Sequence, residues 1–227
     1  MSKVVSRDAL PGYQLPATSS PAFARTNAQT IAQRVALLRE LLPAVRAIAE
    51  LCCGDCTQQW AAYRQAFPDV IYQGLDLAPH IVAANQAQGI ACTCGDVLDP
   101  ATLRQFLACD VLFFGPPLSQ ACDGHTLLAF HEVIPAYIDF VRLLWGGLGY
   151  QGTSICICPN TTTMGDVQRL YAQTRAVRLD VNLRLLHYSY ATRTGHDVVT
   201  PLRLKYVELW FSTVLPDVWE VRALGPD

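Results

Sequence analysis

Short apolar runs alternate with stretches of helical periodicity along most of the chain. The runs at 45–51, 70–76, 90–94, 110–114 and 153–158 are nearly continuous in apolar residues, as strands buried on both faces must be. Between and after them, 58–67, 79–87, 101–107, 127–144 and 164–174 carry the helical pattern. Two longer runs, 177–188 and 202–214, close the chain, with the turn residues Thr194, Gly195, His196 and Asp197 between them. This order predicts an α/β fold: a doubly wound, mostly parallel seven-stranded sheet with helices on both faces and an antiparallel C-terminal strand pair.

Ahead of the first strand the pattern changes. Residues 1–27 contain Pro11, Pro16 and Pro21 among Thr18, Ser19 and Ser20, which reads as an irregular leader. A helix over 28–42 follows, capped by Thr26 or Asn27 and ended by Pro43. Ile31, Val35, Leu38 and Leu42 share its apolar face, and Arg34, Arg39 and Glu40 are expected to turn elsewhere.

Composition narrows the class. About half of the 227 residues are apolar (51%), enough for a substantial core. The formal charge is −2 and the only lysines are Lys3 and Lys205, so the chain lacks the overall basic character of a nucleic-acid binder. Arg169, Arg175, Arg178, Arg184, Arg193 and Arg203 do crowd the C-terminal third; a solvated face is the simpler account of them, with a local patch as the alternative. The N-terminus lacks the apolar core of a signal peptide, and the run at 133–148 is broken by Asp139 and Arg142 and too short to span a bilayer. With nine cysteines, an odd number, these features lead us to expect a cytoplasmic protein with free thiols and no membrane partner.

In a doubly wound sheet, ligands bind outside the C-terminal strand ends. The first strand ends Glu50-Leu51-Cys52-Cys53-Gly54-Asp55-Cys56: an acid, then small residues at every second place, allowing a tight turn close to a ligand. The second ends Gly74-Leu75-Asp76-Leu77-Ala78-Pro79, with a carboxylate placed to accept hydrogen bonds from a ribose diol. The third ends Cys94-Gly95-Asp96-Val97, and the fourth runs into Gly115-Pro116-Pro117-Leu118-Ser119, a stiff loop whose prolines lack N–H groups. For Asp76 the competing reading is a helix cap, and for Asp96 a turn aspartate.

Taken together, these four strand ends resemble the motifs of class I S-adenosylmethionine-dependent methyltransferases, over roughly residues 45–160 and, with the terminal strands, to about 214. The resemblance implies a Rossmann-like methyltransferase fold in which 44–227 form the catalytic domain and 1–43 a leader plus lid helix. It implies S-adenosylmethionine as cofactor, with Glu50, Cys52 and Gly54 at its amino-acid end, Asp76 and Leu77 at the ribose, and Asp96 and Val97 at the adenine. Gly115, Pro116, Pro117 and Ser119 would face the methyl acceptor. That loop is similar to the Asn/Asp-Pro-Pro-aromatic loop of amino-group methyltransferases, which leans the acceptor toward nitrogen; Gly115 and Leu118 replace the polar and aromatic residues. It also has a faint likeness to the Gly-Pro-Pro-Cys loop of cytosine-C5 methyltransferases, with Leu118 in place of the nucleophilic cysteine. The acceptor itself stays open among nucleic acid, protein and small molecule.

Two other functions fit the layout. A nicotinamide-dependent oxidoreductase would need a Gly-x-Gly-x-x-Gly turn, and only Gly54 stands there. A non-catalytic cofactor-binding module would suit the altered Pro-Pro loop. No metal is expected: Cys52, Cys53, Cys56, Cys92 and Cys94 offer no paired C-x-x-C units, Cys53/Cys56 having no second unit to match it, and the i, i+2 pairs Cys92/Cys94 and Cys156/Cys158 read as small strand hydrophobes. His125, His131 and Glu132 after the Pro-Pro loop could supply a general base, although a packing role suits His131 better. His187, Tyr188 and Tyr190 read as core, with the acceptor pocket as the alternative.

Overall fold

The computed structural model describes residues 28–116, 130–159, 162–194 and 198–224. Its centre is β1 (Ala47–Leu51), which pairs in parallel with β2 (Ile71–Asp76) and β4 (Val111–Phe114). Beyond these lie β3 (Ala91–Cys94) and β5 (Thr153–Pro159), also parallel. β7 (Val198–Ser212) then runs antiparallel to both β5 and β6 (Asn182–Thr194). The expected strands and the antiparallel C-terminal pair are all present, and one more joins them. β8 (Val218–Leu224) lies parallel to the outer edge of β6, giving the order β3-β2-β1-β4-β5-β7-β6-β8. The sequence pattern predicts no strand beyond 214, because seven residues after Pro216 become a strand only where a free edge meets them.

Alternate residues of each strand feed two cores. Ile48, Val111, Phe113 and Ile155 pack beneath α1 (Ala28–Leu41), α2 (Thr57–Ala66) and α3 (Pro79–Ala87). Ala49, Leu51, Leu112 and Phe114 pack beneath α5 (Phe130–Val141) and α6 (Met164–Val177), with Leu103 of the short α4 (Pro100–Arg104). Phe114 stacks on Phe140, ring centroids 4.0 Å apart, and meets Tyr137 edge-on at 5.1 Å.

The helices start where their caps allow. Asp99 accepts the N–H of Thr102 at 3.0 Å ahead of Pro100, and Thr163 with Asp166 forms a reciprocal capping box on α6. Several boundaries differ from the sequence reading: α4 ends at Arg104 rather than 107, β6 reaches Thr194 rather than 188, and β7 begins at Val198 rather than 202. α5 passes into a π-helical turn at Arg142–Gly147. α6 runs on to Val177, so β6 begins at Asn182 rather than near 177. The cause is Arg178, which leaves the helix to hold the carbonyl of Tyr150 and the carboxylate of Asp180, spending 178–181 on a turn.

α1 is built into the molecule. Ile31, Leu37 and Leu38 are buried, and so is Arg34, at 1% exposure. Arg34 was expected on the outer face; it enters the core because Glu208 of β7 pairs with it there. A lid motion of α1 would have to break that pair.

Gly74, in β2, lies where two cysteine side chains converge. A Cβ there would stand 3.0 Å from Cys53 Sγ and 3.1 Å from Cys92 Sγ. Gly74→Ala is therefore expected to destabilise the fold by about 1–3 kcal/mol through overpacking. In denaturant titrations the double variant Gly74→Ala/Cys92→Ala should lose less than the two single losses added, since removing one sulfur makes room for the methyl group. Strict additivity would refute this account of the glycine.

Candidate functional site at the strand tips

The turn after β1 is shaped by two residues in left-handed conformation, Cys52 (φ 63°) and Gly54 (φ 54°). Glycine adopts this freely; for Cys52 it stores about 1 kcal/mol of strain, held by the surrounding hydrogen bonds. Cys53 N–H donates to the Leu75 carbonyl at 2.9 Å and Gly54 N–H donates to Asp76 Oδ2 at 3.0 Å. The Gly54 carbonyl accepts from Asn85 Nδ2 of α3 at 2.7 Å. The first two bonds fix the turn against the tip of β2, and the third ties it to α3.

Cysteine at the third small position of this turn is accommodated by direction. Cys56 precedes α2 with its side chain fully buried in the α1–α3 core. The neighbouring thiols of Cys56 and Cys92, together with burial, push the Cys53 thiol well above its usual range. It packs as a small neutral group, its sulfur 3.7 Å from that of Cys92.

Asp76 stands beside this turn, half-buried. Its Oδ1 accepts the Ala78 N–H at 2.9 Å and its Oδ2 the Gly54 N–H. The carboxylate thus orients the first turn of α3 and the β1 turn at once, while each oxygen keeps a lone pair for a further donor. Leu77, next along the chain, is half-buried. At the tip of β3, Asp96 Oδ1 accepts the Leu98 N–H at 2.9 Å, the turn arrangement weighed as the alternative for this residue, and Val97 is buried beside it. Asp76 and Cys94 are partners in the β2–β3 ladder, so Asp96 lies two residues beyond the tip that carries Asp76.

Glu50, the acid of the first motif, is 6% exposed at the tip of β1. Its Oε1 has no hydrogen-bond partner. Burial pushes its carboxyl up to about 7, against the opposing pull of Arg34. An orphaned carboxylate oxygen at one strand tip and a second carboxylate with open lone pairs at the next are the acceptor set required by a ligand carrying an ammonium and a diol. The residues present fit S-adenosylmethionine in that respect.

The fourth strand leads to Gly115, whose N–H bonds the Leu51 carbonyl at 3.4 Å. A Cβ on Gly115 would lie 3.3 Å from Ile157 Cδ1, so close packing against β5 favours glycine where a polar residue stands in the similar loops. Pro116 is half-buried. Pro117, Leu118 and Ser119 lie outside the described residues, as do Cys122, His125 and the side chains of His131, Glu132, His187, Tyr188 and Tyr190. Among the described residues no group of three or more His, Cys, Asp or Glu side chains could hold a metal ion, and no helix is long and apolar enough to cross a membrane.

Two participants escaped the sequence reading. Asn85 takes a buried position three residues after Val82 in α3, which is the one local signal it gives. The Arg34–Glu208 pair joins residues 174 apart and leaves no local signal.

No family model matches the chain, and no curated protein does. Solved structures do. The methyltransferase domain of bacterial CtHen1-C superposes with a TM-score of 0.55 at 14% identity, over 83% of this chain and 99% of that one. The plantazolicin methyltransferase BamL, in complex with a triazolic desmethylPZN analog and SAH, gives 0.54 at 10% identity over 81% and 83%. Precorrin-6y C5,15-methyltransferase from Geobacter metallireducens gives 0.51 at 10% identity over 88% and 92%. Strand order, the antiparallel C-terminal pair and these likenesses agree: this chain has the fold of the class I S-adenosylmethionine-dependent methyltransferases.

Proposed function

We propose that the protein binds S-adenosylmethionine across the tips of β1–β3 and transfers its methyl group to a nitrogen acceptor at the loop after β4. The observation that carries this reading is the bond from Gly54 N–H to Asp76 Oδ2, which locks the turn and the carboxylate to a common ligand edge. Glu50, Cys52 and Gly54 would take the amino-acid end, Asp76 and Leu77 the ribose, and Asp96 and Val97 the adenine edge. The cofactor supplies a methyl group already activated by its sulfonium. The protein's part is therefore positioning: a fixed turn, a fixed carboxylate, and the Gly115–Pro116–Pro117–Ser119 loop offering carbonyls to the acceptor's N–H.

A second reading has its own support. The close approach of Gly115 to Ile157 leaves no side-chain acceptor at that position, which suits a module that binds the cofactor without transferring its methyl group.

Calorimetric titration with S-adenosylhomocysteine tests the first step, with saturable binding expected. Absence of both heat and a rise in melting temperature at millimolar ligand would end the cofactor assignment. Incubation with methyl-labelled cofactor and separate RNA, protein and metabolite fractions then separates the readings. Label should appear on nitrogen in one fraction, whereas binding without label in any fraction supports the module.

A further inference from the structure

Two buried carboxylates, Glu50 and Glu208, lie in the space between the sheet and α1–α2, and the Arg34 guanidinium enters it from α1. Glu208 takes that cation: Arg34 Nε and Nη2 donate to its Oε1 at 2.9 and 2.7 Å, and the Trp210 indole N–H donates to its Oε2 at 3.0 Å. Arg34 Nη1 reaches the Tyr63 hydroxyl at 3.5 Å, and the guanidinium lies 4.7 Å from the centre of the Phe113 ring. Glu50 is the second carboxylate, with Oε1 unpartnered and the buried Tyr72 hydroxyl likewise unpartnered. The charged and titratable groups around it are Arg34 of α1, Tyr63 of α2, Tyr72 of β2 and Glu208 of β7, with Cys56 beyond Tyr72. Among these groups Arg34 is the one cation acting on Glu50, and its geometry commits it to Glu208, so an ionised Glu50 carboxylate would lack a cation of its own.

Resting on the cofactor reading above, we propose that Glu50 exchanges its carboxyl proton for the α-ammonium of the ligand's methionyl end, so that binding releases a proton to solvent. The ammonium supplies Glu50 with a cation of its own. No bond other than the carboxyl O–H breaks, and the buffer takes up the proton. Burial, which favours the neutral carboxyl up to about 7, makes the exchange a feature of the neutral range. Apparent affinity should then rise with pH until Glu50 has lost its proton unaided.

The test is calorimetric titration of S-adenosylhomocysteine in phosphate and in imidazole, two buffers of different ionisation enthalpy, with wild type and Glu50→Gln. Near pH ~6 the ligand's α-amine, which loses its proton only well above that pH, is already protonated, so any proton released comes from the protein. Wild type should release about one proton per ligand near pH ~6 and about half near pH ~7. Glu50→Gln should release none near pH ~6 and bind about ten- to a hundredfold more weakly at pH ~8, having lost a charged hydrogen-bond partner. Buffer-independent heats from wild type at pH ~6, or equal proton release from Glu50→Gln, would overturn the proposal while leaving the cofactor reading intact. No binding by wild type in either buffer would overturn the cofactor reading, and this exchange with it.

Discussion

Replacing Arg34 by methionine is expected to lower the unfolding free energy by about 3–5 kcal/mol, the cost of leaving a buried carboxylate without its cation. Glu208 is fully buried and would keep the neutral Trp210 indole N–H in place of the guanidinium. Glu50, already the weaker claimant on the guanidinium, would lose its only favourable charge as well. The double variant Arg34→Met/Glu208→Leu should recover much of the loss, because an apolar pair of similar volume needs no compensation. Chemical denaturation of the two variants at one pH measures both effects. Should Arg34→Met cost less than about 1 kcal/mol, the range of an exposed pair, the ion pair would not be the buried tie between α1 and β7 described above.

The second large effect concerns Asp76. Asp76→Ala is expected to weaken S-adenosylhomocysteine binding by a factor of about 100 or more. Two ribose hydroxyls donating to a carboxylate are worth about 1.5–3 kcal/mol each, and every 1.4 kcal/mol is tenfold in affinity. The same substitution strands the Gly54 N–H, so a parallel stability loss of about 1–3 kcal/mol is expected. The two losses are separable: melting temperature without ligand reads the loop, and calorimetry well below that temperature reads the ligand. Normal affinity in a folded Asp76→Ala protein would remove the ribose contact, and with it the alignment of β1 and β2 as a cofactor edge.

The candidate site was legible in the sequence to the extent that it sits on strand ends. Glu50, Asp76 and Asp96 each follow an apolar run, and a doubly wound sheet brings successive run ends to one edge. What each residue does there was less legible. Asp96 makes the turn bond that competed with a ligand role, and Asp76 spends one lone pair of each oxygen on backbone donors. The left-handed Cys52 departs from the expectation that glycine fills such positions, because cooperative bonding of the turn outweighs about 1 kcal/mol of local strain.

Local pattern by itself determined the strand–helix alternation, the parallel sheet, the antiparallel close and the acids at the strand tips. Each of these depends on residues within one run or one turn, where side-chain period and propensity act. Tertiary structure alone decided the inward turn of Arg34, the addition of β8 to the β6 edge and the unpartnered state of Glu50 Oε1. These depend on which charges and edges meet across the sheet. An arginine reads as a surface residue in any short window, and only a carboxylate 174 positions away, brought into the same dry space, makes its burial favourable.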